Sequence, residues 1–168
     1  MAYERHIQST RSEHARCAVL TLSDTRTEAT DASGRAIREL LESNGHTVSH
    51  YAIMRDEPAL LDAKLLELLG SPDLDAILTN GGTGISRRDQ TIAVIEKHLE
   101  QSLPGFGELF RMLSWEQIGS GAMLSRALGG IARGQLVFAM PGSTKAVELA
   151  MTRLILPELM HLMGELHK

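Results

Sequence analysis

The sequence lacks several features that would place it in a common class. Its one cysteine, Cys17, lies in an apolar run, so an internal disulfide framework is excluded and a buried, unreactive thiol is expected. Its net charge of -4 disfavours nucleic acid and anionic membranes as partners. No apolar run is long enough to span a membrane, and the polar residues 1–14 do not resemble a signal peptide. We therefore expect a cytoplasmic protein.

Two common nucleotide-binding motifs are missing as well. The glycine-rich segment at residues 81–84 does not continue into the Gly-Lys-Ser/Thr ending of a Walker loop. It also differs from the Gly-x-Gly-x-x-Gly pattern that binds dinucleotides. Any nucleotide site in this chain is therefore of another kind.

What the sequence does contain is an alternation of short apolar runs with helical patterns, which is typical of a parallel sheet with crossover helices. We predict one α/β domain over residues 16–168, with three αβα layers, a mostly parallel central sheet and a flexible arm at residues 1–15. The pattern predicts strands at residues 17–22, 46–54, 75–80 and 135–140. It predicts helices at residues 32–43, from 58 onward, near 89–101, at 108–113, at 122–128 and at 143–163, the last interrupted near Pro157.

Ligands of open parallel sheets bind beyond the carboxyl ends of the strands, so the loops at these ends are the candidate site. The loop after the third predicted strand holds Gly81, Gly82, Thr83 and Gly84. Glycines let backbone amides turn toward an anion, and the helix that follows adds the positive end of its dipole, so this loop favours a phosphate. The alternative is that these glycines only make a tight turn from strand to helix.

Three aspartates follow three different strands of the predicted sheet. Asp24, Asp56 and Asp89 should therefore converge, and carboxylates beside a phosphate site indicate a shared Mg²⁺ or proton transfer. Each also has a simpler explanation, as a turn residue, an exposed loop acid or a helix N-cap, respectively.

A second anion site is predicted after the last strand. Here Pro141, Gly142, Ser143, Thr144 and Lys145 offer exposed amides, a hydroxyl and an ammonium group at the start of a helix. Ordinary capping of the helix by Ser143 or Thr144 is the alternative.

Four motifs resemble a known family. They are Thr-Leu-Ser-Asp at residues 21–24, Gly-Gly-Thr-Gly-Ile-Ser-Arg-Arg-Asp-Gln-Thr at 81–91, Ser-Arg-Ala at 125–127 and Pro-Gly-Ser-Thr-Lys-Ala at 141–146. The chain, from Arg16 to Leu162, resembles the molybdopterin-binding family, which includes molybdopterin adenylyltransferases, molybdenum cofactor biosynthesis proteins B and the gephyrin G domain. Residues 105–114 and 138–146 look closest to the protein B branch.

The resemblance implies transfer of AMP from Mg-ATP to the terminal phosphate of molybdopterin. It assigns catalysis and Mg²⁺ binding to Asp56 and Asp89, and binding of the nucleotide phosphates to the loop at residues 81–84. The molybdopterin-binding residues it implies are Ser23, Asp24, Ser125, Pro141, Gly142, Ser143 and Lys145. It also implies a homo-oligomer, either a trimer or a hexamer, with an apolar interface in residues 106–128 that includes Trp115. A metal-insertion protein of the same pathway is the implied partner.

Two alternatives stay open at this point. Arg87 and Thr144 stand where the adenylyltransferase branch commonly has proline, and some protein B members lack the activity, so a non-catalytic molybdopterin carrier is the main rival. A nucleotide- or pterin-responsive interaction module is the other. The presence of Asp56, which some inactive members lack, favours the enzyme.

Overall fold

A central mixed sheet organises the protein, of which a computed structural model describes residues 14–168. The predicted arm at residues 1–15 lies outside the described residues except for His14 and Ala15. The strands are β1 (Arg16–Leu22), β2 (Thr47–Met54), β3 (Ala76–Asn80), β4 (Gln101–Ser102), β5 (Leu128–Ala132) and β6 (Gln135–Met140). The helices are α1 (Ala32–Ser43), α2 (Pro58–Leu68), α3 (Thr91–His98), α4 (Pro104–Ile118), α5 (Thr144–Ala150) and α6 (Leu156–Leu166).

The strand order β2-β1-β3-β6-β5-β4 confirms the predicted mostly parallel sheet. Strands β2, β1, β3 and β6 run parallel, whereas β5 is antiparallel to β6 and β4 is antiparallel to β5. All five residues of β3 are buried, as expected for a central strand covered on both faces.

Two apolar cores, one on each face of the sheet, confirm the predicted three layers. Neighbouring β1 residues point to opposite faces, so Val19 joins one core and Leu20 the other. Helices α1, α4, α5 and α6 cover the first face, and α2 and α3 cover the second. Cys17 is buried in the first core, as predicted, and burial, with a smaller contribution from Asp75, raises the pKa of its thiol to about 12.

The predicted short helix at residues 108–113 is too short, because α4 begins at Pro104 and continues to Ile118. The segment Leu-Pro-Gly at residues 103–105 had indicated a break before the helix. Pro104 instead lies in the first turn of the helix, and Gly107 lies inside it, where a Cβ atom would be 2.6 Å from the Ala127 carbonyl oxygen. This glycine therefore permits close packing and does not interrupt the helix.

The predicted helix at residues 122–128 is wrong. A 3₁₀ helix (Gly119–Leu124) ends at Leu124, and the chain then enters β5, which the sequence had not predicted. Gly129 and Gly130 weaken the strand pattern, yet a Cβ at Gly129 would be 3.0 Å from the Phe138 ring, and one at Gly130 would be 2.6 Å from Leu99. The glycines are in the strand because their neighbours approach closely. The short strand β4 was also missed, because the helix predicted near residues 89–101 includes the first residue of β4, whereas α3 ends at His98.

The final helical segment changes its winding just before Pro157, close to the predicted interruption. Residues Met151–Ile155 form a π turn between α5 and α6. Proline has no N–H to donate to the carbonyl four residues earlier, which favours an irregular helix at this point. Within the described residues, the helices fall short of the length and apolarity needed to cross a bilayer.

Candidate active site at the carboxyl edge of the sheet

The loops that follow β1, β3 and β6 meet at one edge of the sheet because these strands are parallel neighbours. The Gly81 amide donates to the Met140 carbonyl over 3.1 Å, and the Ser23 amide donates to the Met54 carbonyl over 2.8 Å, so both ladders continue into the loops. A Cβ at Gly142 would lie 3.3 Å from the Gly81 Cα. The two glycine-containing turns predicted from sequence therefore lie side by side.

The backbone of the first turn requires glycine at two successive positions. Gly81 and Gly82 have φ angles of 100° and 62°, in the left-handed region. A Cβ at Gly81 would lie 2.2 Å from the Leu22 carbonyl oxygen, and a Cβ at Gly82 would lie 2.0 Å from Thr91 Oγ1 and 2.7 Å from Asp56 Oδ1. Glycine thus allows the chain to lie directly against Asp56 and Thr91.

The same turn presents backbone amides that the protein does not use itself. Within residues 14–168, the amides of Gly82, Thr83 and Gly84 donate no hydrogen bond to another group. These residues line a cleft of about 410 Å³. Consecutive free N–H groups in a glycine-rich turn form a concave site for an anion. The geometry therefore supports the phosphate interpretation of the loop over a turn that serves only to reverse the chain.

Asp56 is an acid at this edge whose surroundings raise its pKa. Its carboxylate accepts a hydrogen bond from Thr91 Oγ1 over 3.3 Å, and its amide donates to Asp24 Oδ1 over 3.3 Å. Burial is the largest cause that raises its pKa, and the negative charges of Asp89 and Asp24 add to the rise. The hydrogen bond from Thr91 and the charge of Arg88 oppose it. A carboxylate in this state is poised to gain a cation or a proton.

The other two acids are held by the loop itself. Asp89 Oδ2 accepts the Ser86 amide over 2.9 Å, and Asp24 Oδ2 pairs with Arg88 Nη2 over 2.7 Å at the surface. In the part of the chain that the structure describes, no three His, Cys, Asp or Glu side chains are grouped closely enough to hold a metal ion. The convergence predicted for three carboxylates is therefore partial. Asp56 and Asp89 with phosphate oxygens still fit Mg²⁺, which commonly binds one or two carboxylates plus its substrate.

The second turn is supported from beneath by side chains. The Gly142 carbonyl accepts hydrogen bonds from Arg26 Nη2 and from Ser33 Oγ, each 2.6 Å long. Ser143 caps α5, since its hydroxyl accepts the Ala146 amide over 3.2 Å, as the capping alternative proposed. The turn is thus fixed at its carbonyl and at the helix that follows it.

A buried aspartate anchors this support. Asp31 is fully buried and accepts hydrogen bonds from Thr21 Oγ1, Tyr51 Oη and the Gly34 amide at 2.6, 2.8 and 3.0 Å, while Arg26 lies 3.4 Å away. Burial alone would raise the pKa of Asp31, but these hydrogen bonds and the Arg26 charge hold it below its usual range. Sequence reasoning missed Arg26, Asp31 and Ser33. The one available signal was the position of Asp31 as the N-cap of α1.

The cleft has one polar and one apolar wall. Of the predicted site residues, those that line the cleft are Gly81, Gly82, Thr83, Gly84, Asp89, Ser125, Pro141, Gly142 and Ser143. The opposite wall comes from α4 and the 3₁₀ helix, with Phe110, Ile118, Ala122 and Leu124, which the sequence had not assigned to the site. A planar heterocycle with an anionic substituent matches this arrangement.

Four predicted site residues lie outside the cleft. Asp56 lies against Gly82, and Asp24 pairs with Arg88 at the surface. Ser23 Oγ accepts the Arg26 amide over 3.1 Å and so closes a local turn. Lys145 borders an adjoining groove of about 830 Å³, which shares Ser143 and Ala146 with the cleft.

Comparison with known proteins places the chain in a family. A family model described as a probable molybdopterin binding domain matches residues 18–161. The chain belongs to this family. The matched region agrees with the resemblance seen from Arg16 to Leu162 in the sequence.

Relatives in the molybdopterin-binding family span nearly the whole chain. The molybdenum cofactor biosynthesis protein B of Halalkalibacterium halodurans is 51% identical over 169 aligned positions, covering 100% of this chain and 99% of the relative. A crystal structure of a molybdenum cofactor biosynthesis protein B is 51% identical with a TM-score of 0.90, covering 94% of this chain and 98% of the other. The tungsten cofactor synthesizing protein MoaB from Pyrococcus furiosus is 35% identical with a TM-score of 0.84, covering 94% and 100%. These matches confirm the predicted fold.

Proposed function

We propose that the protein acts in molybdenum cofactor biosynthesis, where it binds molybdopterin and transfers AMP to it from Mg-ATP. The observation that carries this proposal is the row of free amides at Gly82, Thr83 and Gly84 in a cleft with an apolar opposite wall. The family match and the names of the protein B relatives support the pathway and the ligand.

The free amides have a role in binding the phosphates of the nucleotide. Phosphate oxygens accept hydrogen bonds from N–H groups without a proton transfer, and amides fixed in advance need no reorganisation during the reaction. Ser125 and the turn at Pro141, Gly142 and Ser143 border the same cleft and bind molybdopterin. Ser23, Asp24 and Lys145 lie farther out, and Lys145 supplies a cation at the adjoining groove for an anionic end of a ligand.

Asp56 and Asp89 act at the reacting phosphates. An oxygen of the terminal molybdopterin phosphate attacks the α-phosphorus of ATP, a new P–O–P bond forms, and the bond to the β-phosphate oxygen breaks to release pyrophosphate. Both reactants are anionic, so the reaction depends on positioning and on neutralising charge. Mg²⁺, when bound, neutralises phosphate charge. Burial and the negative charges of Asp89 and Asp24 raise the pKa of Asp56, and a bound cation would stabilise its charged form.

Pyrophosphate release tests the proposal. The native protein with ATP, Mg²⁺ and molybdopterin is compared with Asp56→Asn, Asp89→Asn and a control, Asp73→Asn, whose side chain is 87% exposed near Arg16. We expect molybdopterin-dependent release that both site variants abolish and the control retains. Tight molybdopterin binding without any release by the native protein would instead identify a non-catalytic carrier.

We also propose a homo-oligomer, a trimer or hexamer, as the resemblance implies. Leu109, Met112 and Trp115 on α4 support it, since their exposures of 47%, 54% and 62% leave a contiguous apolar surface beside the cleft. Sedimentation velocity on the native protein and on Trp115→Glu tests this. The expected result is an oligomer that the substitution dissociates, and a monomeric native protein would overturn it. We also propose a metal-insertion protein of the same pathway as a partner. We propose the cytoplasm as the compartment in which the protein acts.

A further inference from the structure

Arg126 contacts the glycine-rich loop without lining the cleft. Its neighbour Ser125 lines the cleft, whereas Arg126 lines a separate cavity between α3, α4 and β5. Arg126 Nη2 donates to the Asp89 carbonyl, and its Nε donates to the Thr83 carbonyl over 3.4 Å. One guanidinium group therefore contacts both ends of the segment from residue 83 to residue 89.

These two contacts act on the groups that face the ligand. A trans peptide points its N–H opposite to its carbonyl, so a Thr83 carbonyl that faces Arg126 directs the Gly84 amide away from Arg126. The contact at the Asp89 carbonyl fixes the backbone from which the Asp89 carboxylate extends. Asp89 Oδ2 in turn accepts the Ser86 amide over 2.9 Å, so the loop closes on itself between the two points that Arg126 holds.

Arg126 is itself on a fixed support. Arg111 Nη1 of α4 donates to the carbonyls of Ser125 and Ala127, over 3.4 and 3.3 Å. Gly107 allows this approach, as its missing side chain leaves the Ala127 carbonyl in contact with α4. Three motifs that are far apart in sequence, on α4, at residues 125–127 and at residues 81–91, are thus joined by two arginines.

We propose that Arg126 is a positioning residue for the AMP transfer: it holds the Gly84 amide and Asp89 in the arrangement that the reaction requires. The inference rests on the proposed function of the cleft. The role requires the planar fork of arginine, because the single ammonium of lysine cannot donate to both carbonyls with the same geometry. Arg126 acts through the loop and not by contact with the ligand.

The test compares Arg126→Lys with the native protein and with Arg35→Lys, a control in which a surface arginine gives up its single contact with the Ala29 carbonyl. We expect kcat for AMP transfer to fall roughly tenfold to a hundredfold in Arg126→Lys, because small misplacements of reacting groups are costly. We expect the molybdopterin Kd to stay within about threefold of native, which separates positioning from binding. Arg126→Gln, which keeps one donor, serves as a second variant.

Amide hydrogen exchange at Ser86, Arg88, Asp89 and Gln90, whose amides donate hydrogen bonds within the loop, gives a readout that does not depend on activity. Faster exchange confined to this loop in Arg126→Lys, with native rates in Arg35→Lys, supports the inference. A native exchange rate in the loop of Arg126→Lys, or a kcat within about threefold of native, overturns it. Faster exchange across the whole chain also overturns it, because this would show a role in global stability. If the native protein transfers no AMP, the proposed function fails while the exchange measurement still decides whether Arg126 holds the loop.

Discussion

The two glycine-containing turns that line the cleft are held in different ways. The turn at Gly142 rests on a buried network in which Arg26 and Ser33 donate to its carbonyl and Asp31 anchors Arg26. The turn at residues 81–84 leaves the amides of Gly82, Thr83 and Gly84 free, and Arg126 donates to the Thr83 carbonyl within it and to the Asp89 carbonyl after it. One cleft therefore combines a turn whose carbonyl is satisfied within the protein with a turn whose amides are available to a ligand.

Removal of Asp31, which anchors the support of the turn at Gly142, should have the largest effect on stability. Asp31→Ala leaves Thr21, Tyr51, the Gly34 amide and Arg26 without their shared acceptor. We expect a loss of roughly 3–5 kcal/mol in the free energy of unfolding, the usual result of removing one partner from a buried charged network. Urea denaturation measures it, and exposed Asp73→Ala, expected to change stability by less than about 0.5 kcal/mol, is the control. A loss as small as the control's would show that the network does not support the turn.

Adding a methyl group to each turn tests the difference between them directly. Gly82→Ala places a Cβ 2.0 Å from Thr91 Oγ1 in a left-handed conformation, whereas at Gly142 the nearest atom would be 3.3 Å away. We expect Gly82→Ala to abolish AMP transfer and to cost roughly 2–3 kcal/mol of stability, and Gly142→Ala to cost less.

Gly45→Ala separates the backbone strain from the collision. Gly45 has a φ of 82° with open space around its Cβ position, so this variant should lose only about 1 kcal/mol. Equal losses at Gly82 and Gly45 would mean that contact with Asp56 and Thr91 does not constrain the turn.

Acid should have opposite effects on the stability that Asp31 and Asp56 contribute. The pKa of Asp31 is lowered in the folded state, so its contribution to stability is present above the unfolded pKa of about 4 and is lost as pH falls through the folded pKa. The pKa of Asp56 is raised, so its contribution is present below the unfolded pKa and is lost as pH rises through the folded pKa. Thermal unfolding of the native protein, Asp31→Asn and Asp56→Asn between pH 3 and 7 separates the two groups, with the pH window set by these reference values.

Asp56→Asn should give the smallest change and the only gain. Replacing the repelled carboxylate by a neutral amide should stabilise the protein by about 0.5 kcal/mol at neutral pH, at the cost of activity. The gain should disappear in acid, where Asp56 is protonated in both states. A variant that is less stable than native at neutral pH would contradict the electrostatic account of this residue.

The alternation of apolar runs with helical patterns predicted the edge of the sheet where the candidate site lies, because ligands of open parallel sheets bind beyond the carboxyl ends of the strands. The sequence did not predict the support of the second turn, since Arg26 and Gly142 are far apart in the chain and only folding brings them together. The start of α4 was missed because the segment Leu-Pro-Gly at residues 103–105 was interpreted as a break, although α4 begins at Pro104. Strand β5 was missed because its glycines weaken the strand pattern, and Gly129 is needed where the Phe138 ring approaches closely.

The fate of the AMP group decides whether the protein is an adenylyltransferase. The native protein is incubated with molybdopterin, Mg²⁺ and ATP labelled at the α-phosphate, and the molybdopterin product is isolated and analysed by mass spectrometry. We expect the label to move to molybdopterin as a phosphoanhydride, in an amount equal to the pyrophosphate released. Label that remains in ATP while molybdopterin is bound would contradict it.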